Sequence, residues 1–182
     1  MKTGIVFHEL YLWHDTGNHA DYVPYGFPVE PFQHSENPDA KRRIKNLMEV
    51  SGLYEKLFQI TPRKATKDEI LLFHTEDHFE HIKSLNNSIT IDAGITTPTG
   101  IGSFDIALLS AGGVIEAIDH VIEEKVNNAY ALVRPPGHHA MPNKAMGFCI
   151  FGNAAIAGKH ALKNKDLHKI AFIDWDVHHG NG

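Results

Sequence analysis

The sequence predicts an α/β protein with three layers, helices on both faces of a mainly parallel sheet, and three observations predict it. First, three short stretches are apolar throughout rather than alternating: TGIVFH (Thr3 to His8), AYALV (Ala129 to Val133) and IAFI (Ile170 to Ile173). Such runs read as strands buried on both faces, the habit of parallel sheets. Second, segments with a 3.6-residue apolar period lie between them, supplying the crossovers that parallel strands need. Third, clusters of Gly, Pro and Asn punctuate the boundaries. At 182 residues, with a hydrophobic share of 42%, the chain can bury a real core and reads as one domain over 1–182.

The elements follow in order. Thr3 to His8 is the first strand. Tyr11 to Phe32 is rich in Gly, Pro, Tyr and His with no period, a long loop of the kind that is usually functional or mobile. A helix is marked by Asn37 as cap, Pro38 at its first position, Ile44, Leu47 and Met48 on one face and Gly52 as its stop. Thr66 and Glu69 form a capping box, and a helix from about Asp77 carries Phe79, Ile82 and Leu85 toward a core. Asn86 to Gly102 is turn-like. From Ser103 a longer helix places Ile106, Leu109, Val114, Ala117, Ile118, Val121 and Ile122 near one period. Gly112 and Gly113 inside it each cost about 1 kcal/mol relative to Ala, so a close packing contact is expected there. After AYALV come the loop RPPGHHAMPNKAMGF, a small-residue helix around Asn153 to Leu162, and IAFIDWDV.

Composition narrows the function. Seventeen basic and twenty-two acidic residues give a formal charge of −5. The one basic cluster, Lys41, Arg42, Arg43 and Lys45, falls on the Pro38 helix and reads as a solvated face, so no nucleic-acid partner is expected. The apolar start of MKTGIVFHEL is too short for a signal-peptide core and no other run reaches membrane-spanning length, so no membrane partner and a cytoplasmic location are expected. The lone cysteine, Cys149, excludes an internal disulfide and reads as a small buried hydrophobe.

The chemistry lies in the histidines. There are fourteen, dispersed rather than in a run, with two pairs, His138-His139 and His178-His179, each just beyond an apolar segment. In an extended chain Asp174, Asp176 and His178 project to one side, and Trp175, Val177 and His179 to the other. Ligands of open α/β sheets bind beyond the carboxyl ends of strands, where both pairs fall, so the pairs can converge. A carboxylate oxygen beside a neutral imidazole nitrogen suits Zn²⁺ or another borderline divalent ion, and a catalytic site adds one more protein ligand and an open position. The residues alone thus predict a metal hydrolase or a metal-binding fold. A hydrogen-bonded strand end is the plainer reading of the aspartates, but carboxylates adjoining a buried strand are costly without a charge to hold.

RPPGHHA (Arg134 to Ala140), MGFCIF (Met146 to Phe151) and DWDVHHGNG (Asp174 to Gly182), in this order and spacing, resemble the arginase/deacetylase superfamily. Within it they are similar to the histone deacetylases and their bacterial relatives, the histone deacetylase-like and acetylpolyamine amidohydrolases. Trp175 and Asn181 resemble the class II branch. HSENPDAKRRIKNLMEVSGL (His34 to Leu53) and FDIALLSAGGVIEA (Phe104 to Ala117) extend the likeness over nearly the whole chain.

The resemblance implies the arginase/deacetylase fold, incomplete at its C-terminal side, and a role for each motif residue. Asp176 and His178 would be two of three zinc ligands. His138 and His139 would face the reacting water, with Asp174 the partner of His138 and Asn181 the partner of His139. Gly147 and Phe148 would line the channel for an acyl-lysine side chain. A potassium ion would sit near Asp174 on the backbone carbonyls of Asp176 and His178. Gly152 stands where these relatives commonly have Asn. The family's third zinc ligand, an aspartate, and its oxyanion-stabilising tyrosine come later than Gly182, so the chain is expected to be the N-terminal part of a deacetylase domain, weak in metal affinity and activity alone. The implied reaction is zinc-dependent hydrolysis of an acetylated lysine peptide or an acetylated polyamine, with His139 as general base and His138 stabilising the oxyanion. A noncatalytic member that binds metal or acyl ligands is the alternative. An arginase-like two-manganese site would need more carboxylates near Asp174 than the sequence offers.

Overall fold

In the computed structural model the described residues are 1–18, 23, 28–164 and 167–182, so residues 19–22 and 24–27 of the expected Tyr11–Phe32 loop lie outside them. The strands are β1 (Thr3–Val6), β2 (Phe58–Ile60), β3 (Ile91–Asp92), β4 (Gly94–Ile95), β5 (Pro98–Thr99), β6 (Asn128–Ala131) and β7 (Ala145–Met146). The helices are α1 (Asp39–Val50), α2 (Lys67–Ile70), α3 (Glu76–Ser84), α4 (Ser103–Ile122) and α5 (Asn153–Asn164), with short 3₁₀ helices at Glu9–Trp13 and Tyr54–Lys56.

The main sheet runs β2-β1-β6, parallel at both junctions, with Gly4 opposite Phe58 and Ala129. Alternation along the strands divides their side chains between two helical layers. Ile5 and Leu132 pack with Met48 of α1, while Val6, Ile60, Ala129 and Ala131 pack with Ala117 and Val121 of α4. This is the predicted three-layer arrangement. α4 turns another part of its surface to α5 and α3, where Ala107, Ala111 and Ile115 meet Ile156, Ala157 and Phe79. Ile5, Ile115 and Ile156 are fully buried. Each burial contributes about 2 kcal/mol, more than the roughly 1 kcal/mol that a glycine costs α4.

Those glycines have the expected reason. A Cβ on Gly112 would strike the Arg63 carbonyl, and one on Gly113 would lie 2.5 Å from the Tyr11 hydroxyl. The chain at 63–65 lies along α4 at this point, with the Ala65 N–H donating to the Leu108 carbonyl at 2.9 Å.

The start and stop signals act close to where the sequence places them, α1 beginning at Asp39 with Pro38 at its N-cap position, one residue later than expected. The Asn37 side-chain oxygen accepts from the Asp39 N–H at 2.8 Å, and Gly52 takes a left-handed φ of 69° after α1. Thr66 and Glu69 form the capping box of α2. Three cations of the basic cluster on α1 have carboxylate neighbours, Arg42 at Asp39, Lys45 at Glu49 and Lys41 at Glu36. The first strand stops at Val6 because His8 caps the next 3₁₀ helix, its Nδ1 accepting from the Leu10 N–H at 3.1 Å.

One expectation fails. IAFI and the residues after it form no strand: the described segment 167–182 contains no ladder, and Phe172 and Ile173 are 61% and 83% exposed. Apolar composition expresses a preference for a two-sided strand, but the strand state needs a hydrogen-bonding neighbour, and none of the described residues supplies one. The segment is held instead by side chains. The Phe172 ring lies over Gly158 of α5, where a Cβ would come within 2.5 Å of Cζ.

Candidate functional site

The loop that carries His138 and His139 is anchored where it begins, at Arg134 and Pro135. Asn153 at the start of α5 donates to the Pro135 carbonyl at 3.1 Å, and Ser110 of α4 donates to it at 2.9 Å. At Arg134 the anchor is ionic. Its fully buried guanidinium donates to the Glu36 carboxylate at 2.8 and 3.1 Å, to the carbonyls of Tyr11, His14 and Glu36, and to the Thr16 hydroxyl. Every guanidinium nitrogen has an acceptor, the condition under which a buried charge is tolerated. Removing one partner of such a pair typically costs about 3–5 kcal/mol. Arg134 and Glu36 stand inside the quoted motifs, yet the sequence reading gave them no role. The signal was available: an arginine directly after a buried strand needs a charge to hold, the rule already applied to Asp174.

The six predicted chemical residues come together. The rings of His138 and His139 are 4.0 Å apart between centroids. His138 Nδ1 is 3.0 Å from Asp174 Oδ2, and His139 Nδ1 is 2.8 Å from Asn181 Oδ1. His178 follows, its ring 5.9 Å from that of His139 and its Nδ1 3.1 Å from Asp176 Oδ1. The alternation expected of an extended segment is kept without a sheet, by its own backbone. The Asp176 N–H donates to Asp174 Oδ1 at 3.1 Å and the His178 N–H to Asp176 Oδ1 at 2.8 Å, while Trp175 and Val177 are 90% and 92% exposed. These backbone donors hold both carboxyls below the usual aspartate range, with the His138 ring adding to the effect on Asp174 and the His178 ring on Asp176. Gly180 is required for the approach, since a Cβ there would strike Asp174 Oδ2.

The hydrogen bonds around His139 fix its tautomer. The Asn181 amide nitrogen donates to Met146 Sδ at 3.5 Å, and a thioether only accepts, so Oδ1 faces His139. His139 Nδ1 then carries the hydrogen, so in the neutral ring the lone pair is on Nε2. Met146, like Arg134 and Glu36, is a participant that the sequence reading did not single out.

Gly147 and Phe148 reach the site through paired backbone. β4 and β7 are parallel, and the Gly147 and Phe148 N–H groups donate to the Ile95 and Thr96 carbonyls at 2.9 and 3.0 Å. Both residues have left-handed φ, 54° and 68°. A Cβ on Gly147 would collide with the His139 ring, and the Phe148 ring meets His34 edge-on at 4.8 Å. Cys149 beside them is fully buried, and burial pushes its thiol up to about 12. Gly152 allows a tight contact with Phe73, 2.8 Å from a would-be Cβ, while its N–H donates to His74. A groove of about 440 Å³ between Ala154 and Ala155 of α5 and the Phe172–Asp174 segment opens on His138, not on His139.

Asp176 and His178 fit two positions of a zinc ion. Oxygen and imidazole nitrogen are the donor types zinc takes, and their 3.1 Å separation is near the roughly 3.3 Å between adjacent donors of a tetrahedral centre bonded at about 2.0–2.1 Å. Among the described residues no group of three or more His, Cys, Asp or Glu is arranged to hold a metal ion. Also among them, no helix is long and apolar enough to cross a membrane.

The chain has recognisable relatives among known proteins. Residues 34–182 match the histone deacetylase domain. The chain is 43% identical over 184 residues to a histone deacetylase-like amidohydrolase of Pseudomonas aeruginosa, covering all of this chain and 48% of that protein. It is 38% identical over 189 residues to a probable deacetylase of Archaeoglobus fulgidus, covering 47% of it. The crystal structure of the HDA15 HD domain superposes with a TM-score of 0.88 at 32% identity, over all of this chain and 49% of that one. The chain thus spans about half the length of these relatives. With the profile, the fold and the order of the motifs in agreement, the chain belongs to the histone deacetylase domain family.

Proposed function

We propose that this chain carries the water-activating part of a zinc-dependent deacetylase site, acting on acetylated lysine in a peptide or on an acetylated polyamine. One observation carries the reading: two adjacent histidines with different partners, a carboxylate for His138 and an amide for His139, beside the Asp176–His178 donor pair. A zinc ion held by Asp176 and His178, when bound, would supply a Lewis acid that polarises the acyl carbonyl and acidifies a water. In the same reading Asp174 and the backbone of Asp176 and His178 would hold a potassium ion.

The chain's own residues do the rest. His139 Nε2, with its lone pair, takes the proton from the attacking water and later passes it to the leaving amine. His138, oriented by Asp174, donates to the oxygen on which negative charge develops. Gly147 lets His139 stand close to the β7 turn, and Phe148 walls the approach of an unbranched acyl-amine. A cytoplasmic location suits a chain whose one thiol is buried and unpaired.

The test is an assay of the full-length protein with metal stripped and restored, comparing acetyl-lysine peptide with acetylated polyamine. Activity lost to chelation and regained with zinc is expected, and His139→Ala is expected to lower kcat by at least about 100-fold, the scale of general acid–base catalysis. Near-normal turnover in that variant contradicts the assignment. A noncatalytic binder of metal or acyl ligands is the second reading, resting on the two donors found here. By that count the 182-residue chain alone should bind zinc weakly and turn over little, and robust chelator-sensitive hydrolysis by it contradicts the count.

A further inference from the structure

Asp92, outside every motif singled out above, holds a backbone conformation that ends at Phe148. Its Oδ1 accepts from the N–H groups of Gly94 and Thr97 at 3.0 and 2.9 Å, and its Oδ2 accepts from the Thr96 N–H at 3.0 Å. The turn is closed by the Ala93 N–H donating to the Thr97 carbonyl at 2.9 Å. Within it Thr96 is left-handed at φ 49°, a costly conformation for a β-branched residue unless its surroundings enforce it. The carboxylate is what enforces it, because the three N–H groups can converge on one acceptor only with the chain folded this way.

The consequence passes through two hydrogen bonds. The carbonyls of Ile95 and Thr96 are the acceptors for Gly147 and Phe148, both of which are also in left-handed backbone. Gly94 brings the two segments together, since a Cβ there would strike the Ala145 carbonyl. From Asp92 to the Phe148 Cα the path is therefore carboxylate, turn carbonyl and ladder hydrogen bond, with no free joint between.

We propose that Asp92 is a positioning residue for Phe148 that sets the width of the acyl channel and so selects short acyl groups. The channel role of Phe148 rests on the function proposed above, whereas the mechanical link from Asp92 to Phe148 does not. In the full-length protein, Asp92→Ala is expected to speed amide hydrogen exchange at Gly94, Thr96 and Thr97, and also at Gly147 and Phe148, by about tenfold or more. Asp92→Asn, which keeps the oxygen shared by Gly94 and Thr97, should retain most of the protection. For acetyl-lysine against butyryl-lysine peptide, Asp92→Ala should narrow the preference about fivefold, mainly through KM, with kcat on the acetyl substrate changed less.

Faster exchange confined to residues 94–97, with 147 and 148 unchanged, overturns the link. Faster exchange at Phe148 with an unaltered acyl preference overturns the selection. If neither peptide is turned over by the unaltered protein, the deacetylase reading and acyl selection by Asp92 both fall, and the exchange data still decide the link.

Discussion

Gly147 shows how much of the chemistry can depend on one missing methyl group. Its φ of 54° is left-handed and its Cα lies against the His139 ring. Gly147→Ala is expected to cost about 1–2 kcal/mol of stability for the left-handed backbone. It should also displace the imidazole, lowering kcat about tenfold or more, since misplacing a catalytic group by 1 Å can cost about 100-fold. Thermal unfolding and steady-state kinetics on the full-length variant check this, and unchanged kcat would show that the ring position is not set there. At this scale most of the site was legible. His138, His139, Asp174, Asp176 and His178 announce themselves by type and spacing, because titratable groups beside apolar runs need a task, while Asn181 is implied only by the family resemblance. Arg134 carries the same signal, a charged group directly after an apolar run, whereas Glu36, Met146 and Asp92 were not legible in that way. Their partners are far off in sequence or are backbone groups, and neither leaves a pattern in composition.

Elements were legible where local signals specify them. α1 carries a cap, a periodic face and a stop, α2 a capping box and α4 a long periodic face within their own residues, so their existence could be read. β2 and the two-residue strands β3, β4, β5 and β7 are too short to show a period. IAFI failed for the opposite reason, a strong local preference with no ladder partner among the described residues. α4 also supplies a test in which two effects oppose each other. Replacing Gly112 by Ala raises helix propensity by about 1 kcal/mol. Yet the new Cβ strikes the Arg63 carbonyl, and overpacking a closed interface typically costs about 1–3 kcal/mol. Because backbone rather than a side chain is in the way, the clash is expected to win, and Gly112→Ala should lower the midpoint of denaturation. A raised midpoint would mean that the 63–65 segment yields.

Across the whole molecule, the buried histidines set the acid limit of the fold. His74 donates from Nδ1 to the Pro142 carbonyl and accepts from the Gly152 N–H at Nε2, so its neutral form is built into the packing. Burial, with the neighbouring His78 charge, pulls its pKa down from 6.5 to about 4. His78 is lowered and His14 lies well below the ordinary value, burial again leading both. Because the folded pKa of His74 lies below the unfolded one, the unfolded chain binds the proton first. Stability is full above about pH 6.5 and falls as pH drops from there toward 4, by about 3 kcal/mol for His74 alone. Urea midpoints measured between pH 7.5 and 4.5 should decline through this window, and a flat profile contradicts the lowered pKa of the buried His74.

The same molecule-wide frame brings the 134–140 loop and the 174–182 segment onto one site, and that convergence is most directly tested by an anomalous difference map at the zinc edge from crystals of the full-length protein. A peak bonded at about 2.0–2.2 Å by Asp176 and His178, with the rings of His138 and His139 facing it, is the predicted result. Zinc held elsewhere, or these side chains turned away from a common centre, would contradict it.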